Sequence, residues 1–233
     1  MTREDLIKNN PLRWLNPAGQ EGAGPHMGLV IARAGLGKTA ILVQIALDSI
    51  LRGQKVLHIS IGEGLDKAKA WYGDIVNLLT EEQRLENPAS VEEEIMRRRM
   101  IMTFKVSGFS RPKLEERLKD LVEQNIFVPD CIVVDGFDFS GGDREAVRDL
   151  REFLAGMNVR VWFSALCHRE DIRTSDSGVP APCHDLEELF ETVIVLKAEP
   201  DAIKLLMVKN GGQDSAAGSA LSLDPATMLV KED

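Results

Sequence analysis

The chain lacks the features that would place it outside the ordinary globular classes. Three cysteines in 233 residues build no disulfide framework, and the odd number fits a reducing compartment. No apolar run approaches the length of a membrane span, and Met1-Thr2-Arg3-Glu4-Asp5 begins no apolar leader segment, so a cytoplasmic protein without a membrane partner is expected. Basic excess is missing too. The 28 Lys and Arg against 37 Asp and Glu give a net charge of −9, which argues against a strong, non-specific polyanion binder. The pairs Cys167-His168 and Cys183-His184 supply ligand types for zinc. Neighbours in sequence lack the usual gaps between ligands, however, and on a strand they point to opposite faces. Internal repeats and long linkers are absent as well.

What is present is an α/β pattern of a size for one domain, residues 1–233, with 44% hydrophobic and 28% charged residues. Its most informative stretch is Gly28-Leu29-Val30-Ile31-Ala32-Arg33-Ala34-Gly35-Leu36-Gly37-Lys38-Thr39. A short apolar strand breaks into a glycine-containing loop and then into the helix-forming run Ala40 to Ala46. Such a loop aims the amides of Ala34, Gly35, Leu36, Gly37, Lys38, Thr39 and Ala40 at one anion, and the helix dipole adds to the effect. Lys38 is placed to reach the β- and γ-phosphates of a nucleotide, and the Thr39 hydroxyl to bind Mg²⁺. Ala32 stands where the stricter G-x-x-x-x-G-K-[ST] pattern has its first glycine, and a small side chain there still lets the loop turn.

Residues 1–26 read as a short helix over 3–9, a turn at Asn10-Pro11 and an irregular lead-in. Beyond them, strands are expected at 27–32, 55–61, 100–106, 131–135, 159–166 and 193–198. Helices are expected at 38–52, 65–79, 81–99 with a break near Asn87-Pro88, 112–124 and 144–157, and a short one at 185–190. Glu199-Pro200-Asp201 turns the chain into a hairpin with 203–209, and a last strand includes Ala220 to Leu223. Continuous apolar strands alternating with helices predict a three-layer fold, a mostly parallel sheet covered on both faces, with an antiparallel hairpin at the C-terminal end.

Phosphoryl transfer further needs a carboxylate for the metal shell, a group that orients water and a sensor of the γ-phosphate. Asp135 ends a buried strand, where ligands bind in open α/β sheets, although a turn cap at Asp-Gly is the plain alternative. Glu63, in Ser60-Ile61-Gly62-Glu63-Gly64, follows the next strand and suits a general base or an ordinary turn. Ser164 and His168 close the strand 159–166, and His168, nearer the strand's exit, is the preferred sensor.

Together the loop, the acidic residue after the second strand, the strand-end aspartate and a hairpin ending in Lys209-Asn210-Gly211-Gly212 resemble the RecA-like ATPases, in particular the DnaB, RadA and KaiC group. The resemblance spans about 27–224, and its loop is the one motif specific by itself. It implies ATP and Mg²⁺ as ligands. Lys38 and Thr39 would hold phosphates and metal, Asp135 support Mg²⁺, Glu63 activate water and His168 act as sensor, with the adenine in a shallow site beside the loop. It also implies a homo-oligomer or protein partner, since family members present a basic pair to the neighbouring subunit's nucleotide. Here Lys209 keeps the first position of that pair and Gly211 replaces the second. Such a finger contributes about 10³–10⁵ in rate, so weak turnover is expected, and Lys209 alone also reads as a hairpin surface lysine. A nucleotide-dependent binding module with little turnover is therefore the alternative to an ATPase, and phosphoryl transfer to protein shares the same site.

Nucleic acid is not an expected partner. The loops at Ser140 to Glu145 and at Arg169 to His184 offer no pairing of basic and aromatic side chains. Arg97-Arg98-Arg99 follows Glu92-Glu93-Glu94 at a spacing that predicts Glu93–Arg97 and Glu94–Arg98 ion pairs on a solvated helix face. Trp71-Tyr72 reads as core or as a partner surface.

Overall fold

Runs of Val, Ile and Leu bounded by Gly, Pro and Asp become the inner strands, because a strand covered on both faces needs apolar side chains on both. A computed structural model of the chain describes residues 2–15, 26–141, 144–210 and 221–232, apart from the side chains of Trp14 and Gln83. The expected lead-in over 16–25, Gly142-Asp143, Gly211-Gly212 and Ala220 lie outside the described residues.

In chain order the elements are α1 (Arg3–Asn9), β1 (His26–Ala32), α2 (Lys38–Leu51), β2 (Val56–Ile61), α3 (Leu65–Gln83), α4 (Pro88–Arg98), β3 (Arg99–Phe104) and α5 (Arg111–Glu123). Then come β4 (Cys131–Asp135), α6 (Arg144–Gly156), β5 (Arg160–Leu166), β6 (Thr192–Ala198), β7 (Ile203–Asn210), β8 (Leu221–Leu223) and β9 (Val230–Glu232). These nine strands form one sheet in the order β3-β2-β4-β5-β1-β6-β7-β8-β9. The first six strands pair in parallel, and β7, β8 and β9 extend the sheet antiparallel from β6.

Alternation along each strand divides the core. Val30, Val133, Trp162 and Ile194 face Ile41 and Ile45 of α2, Tyr72 and Ile75 of α3 and Ile95 of α4. Leu29, Ile59, Val134 and Phe163 face Leu114 and Leu118 of α5 and Val147, Leu150 and Leu154 of α6. Helix α2 is buried from Ala40 to Leu51 because α3 and α4 cover its outer side. Asp48 is the charged exception there, and Asn10 Nδ2 and Arg52 Nε each donate to it at 2.7 Å.

Four elements differ from the sequence reading. Helix α3 runs on to Gln83 and stops at Arg84, which takes a left-handed conformation. The short helix expected at 185–190 is one 3₁₀ turn over Glu187–Leu189. Arg99 leaves the helix to open β3 and lies 4.4 Å above the Tyr72 ring, while Arg97 and Arg98 both pair with Glu94, so the Glu93–Arg97 pair is replaced. Strand β9 was not anticipated. Its one apolar residue, Val230, is held by Gln44 of α2, which accepts from Val230 N at 2.9 Å and donates to the Met228 carbonyl at 2.8 Å.

Among the described residues, no helix is long and apolar enough to cross a membrane.

Candidate functional site

The loop between β1 and α2 lies at the C-terminal edge of the sheet. Gly37 caps α2 with φ +87°, a conformation that glycine adopts without strain. A Cβ there would stand 2.4 Å from Leu223 Cδ2 of β8, so any other residue would also push that side chain aside. The Gly37 carbonyl accepts from Ile41 N at 3.0 Å, which opens the helix and leaves its first amides facing the loop. Lys38 Nζ donates to the carbonyls of Ala32 at 3.2 Å and Arg33 at 3.0 Å. Burial lowers the Lys38 pKa, against the opposing pull of Asp135 and Cys167. The ammonium is thus held over the loop by carbonyls that an anion's oxygens would replace.

Beneath Thr39 the sheet presents a polar row. Ser60 of β2 pairs with Asp135 of β4, and Ser164 of β5 pairs with Val30 of β1, so all four positions stand at one level on the α2 face. Thr39 Oγ1 donates to Asp135 Oδ2 at 2.7 Å, and Ser164 Oγ donates to Asp135 Oδ1. Ser164 Oγ in turn accepts from Gly136 N at 3.0 Å. Gly136 has φ +84°, and a Cβ on it would meet the Ile61 carbonyl oxygen at 2.3 Å, so the turn after Asp135 also depends on glycine. Both carboxylate oxygens are therefore oriented before any ligand arrives.

A cavity of about 200 Å³ opens above this row, bounded by Gly35, Gly37, Lys38 and Thr39 on one side and by Ser60, Glu63 and Asp135 on the other. Glu63 is half-exposed, and Lys67 Nζ lies 2.6 Å from its Oε1. Its backbone carbonyl accepts from Ser60 Oγ at 3.3 Å, which ties the Gly62-Glu63-Gly64 turn to the polar row. Farther out, Ala68 and Trp71 of α3 and Met228 before β9 make an apolar wall. Trp71 thus faces the cavity, and Tyr72 is core.

The structure brings together Lys38, Thr39, Asp135 and Glu63. His168 stands elsewhere: it is exposed, in a second cavity of about 300 Å³ on the far side of the loop, with Arg33, Ala34, Leu36, Cys167 and Arg169. Ser164, four residues earlier and still within β5, is the residue that reaches Asp135, because the strand holds its side chain on the α2 face at the level of Asp135. Ala40 is fully buried behind the loop. Lys209 is not brought to this chain's loop. It pairs with Val193, level with Leu29 of β1, three residues or roughly 10 Å from the loop edge. Its Nζ donates to the Glu187 carbonyl at 2.7 Å.

His58 was missed. It lines the cavity from β2, and burial lowers its pKa to about 4, partly offset by Asp135. Polar residues alternating in Val56-Leu57-His58-Ile59-Ser60-Ile61 were the available signal, since on a fully buried strand they mark one face as lining a site.

Among the described residues, no group of three or more His, Cys, Asp or Glu could hold a metal ion on its own. A hydroxyl and a carboxylate 2.7 Å apart are the hard oxygen donors that Mg²⁺ takes when substrate phosphates complete its shell. No protein-family model matches the chain, and no curated protein is found to resemble it.

Proposed function

We propose that the chain is a Mg²⁺-dependent ATP-binding and ATP-hydrolysing protein of the RecA-like P-loop class. The observation that carries this reading is the Thr39–Asp135 hydrogen bond, formed across the sheet beside Lys38 and the glycine loop. In this reading the loop amides and Lys38 bind the β- and γ-phosphates, exchanging the carbonyls of Ala32 and Arg33 for phosphate oxygens. Thr39 and Asp135 hold the metal, and Mg²⁺ when bound neutralises charge on the phosphates. Glu63, across the cavity from Lys38, accepts a hydrogen bond from the attacking water and orients it in line. Ser164, through Asp135 and Gly136, takes the sensing place for which His168 was expected. The apolar wall of Ala68, Trp71 and Met228 suits the face of the adenine.

A second reading, a nucleotide-dependent module that binds a partner or a further copy with little turnover, has its own support. Lys67 neutralises Glu63, and Lys209 is tied to a carbonyl of its own chain. Single-turnover hydrolysis separates the two. Glu63→Gln is expected to keep ATP binding and slow hydrolysis about 10²–10⁴-fold. A wild type that binds MgATP without measurable turnover favours the module, and one that binds no nucleotide refutes both.

A further inference from the structure

His58 is a buried polar side chain that neither the metal-holding nor the water-orienting role uses. It lies on β2 one row deeper than Ser60, on the same face, and lines the cavity shared by Lys38, Thr39 and Asp135. Its Nδ1 is 3.1 Å from the Tyr72 hydroxyl. Tyr72 is buried, and among the described residues its hydroxyl has no other hydrogen-bond partner. A buried phenol hydrogen left without an acceptor is costly, so the hydroxyl donates and Nδ1 accepts. Burial keeps the ring neutral, and the ring hydrogen therefore resides on Nε2. The Arg99 guanidinium, 4.4 Å from the Tyr72 ring centre, steadies the phenol.

We propose that His58 is a positioning residue for the metal–nucleotide site: its Nε2–H, fixed by Tyr72, orients the Asp135 carboxylate through ordered solvent on the sheet side of the cavity. The inference rests on the ATP-binding reading above. Ser60 is the direct partner of Asp135, so His58 is the diagonal neighbour, at a separation of roughly 7–8 Å that one ring and one water span. Thr39 and Ser164 hold Asp135 from its other sides. Groups that orient metal ligands in this way typically change metal affinity by about 10–100-fold.

The test is a Mg²⁺ titration of the binding of a fluorescent ATP analogue to wild type, His58→Gln, His58→Leu and Tyr72→Phe, with thermal midpoints measured alongside. Glutamine puts an amide N–H near the place of Nε2 and is expected within about threefold of wild type. Leucine is expected to raise the Mg²⁺ concentration at half-saturation about tenfold or more, with metal-free nucleotide binding unchanged. No shift in the leucine variant, or equal shifts in both histidine variants, overturns the proposal. Independently, ¹⁵N-histidine resonance spectra are expected to show the Nε2–H form in wild type and a move toward Nδ1–H in Tyr72→Phe, which also serves if the leucine variant does not fold. An Nδ1–H form in wild type overturns it. A wild type that binds no nucleotide removes the ATP reading and this inference together, whereas normal wild-type binding with unaffected variants removes the inference alone.

Discussion

Acid is expected to destabilise the protein through His58 between pH 7 and pH 5. The side chain is 1% exposed on a central strand, and burial brings its pKa from 6.5 to about 4, with Asp135 acting to raise it and Arg99 to lower it. Between those two values the unfolded chain takes up a proton that the folded chain refuses, so stability falls as pH falls. Linkage over that window gives a loss of about 2 kcal/mol between pH 7 and pH 5. That is a sizeable part of the ~5–15 kcal/mol that holds a typical domain together. Urea unfolding at pH 7 and pH 5, on wild type and on His58→Gln, measures it. Burial lowers the pKa of His26 as well, but His26 is present in both proteins and cancels in the comparison. The glutamine variant should lose about 2 kcal/mol less than wild type over the same interval. Equal losses in the two proteins would show that His58 does not carry the acid sensitivity.

Lys38→Ala should abolish the heat of MgATP binding in calorimetry, because it removes the cation that the proposed function sets among the phosphates; an unchanged isotherm would sink the phosphate-site reading. Gly28→Ala should destabilise by about 1–3 kcal/mol in a denaturant melt, since its Cβ would stand 2.4 Å from Trp162 Cε3 on the neighbouring strand. An unaltered midpoint would show that Trp162 moves freely. Binding to single-stranded DNA at physiological salt should be weak by fluorescence anisotropy, because Arg144, at the start of α6, is paired with Glu188, and Arg173, in the loop after β5, with Asp171. Tight binding with a steep salt slope would reveal a basic surface elsewhere.

Whatever local chemistry dictates is readable from the chain alone. Val, Ile and Leu runs such as 29–31 and 132–134 have to be buried strands, and Gly37 before Lys38-Thr39 has to turn a strand into a helix N-terminus. Asp135 was legible for the same reason, a carboxylate closing an apolar strand. Burial on the α2 face instead of exposure past the strand end gives Asp135 to Ser164 and not to His168, and that depends on the register of β4 against β5. Strand β9 exists because Gln44, 186 residues earlier, completes its backbone hydrogen bonds, a pairing that no local propensity encodes. Lys209 lies about 10 Å from the loop edge because β7 runs antiparallel to β6 and carries its end to the opposite side of the sheet. His58 looked like any polar residue in a strand until Tyr72 from α3 took its Nδ1 and the fold set the residue beside the cavity. Periodicity tells which residues must be buried, whereas which polar groups meet is set by strand order and register, and those are properties of the whole sheet.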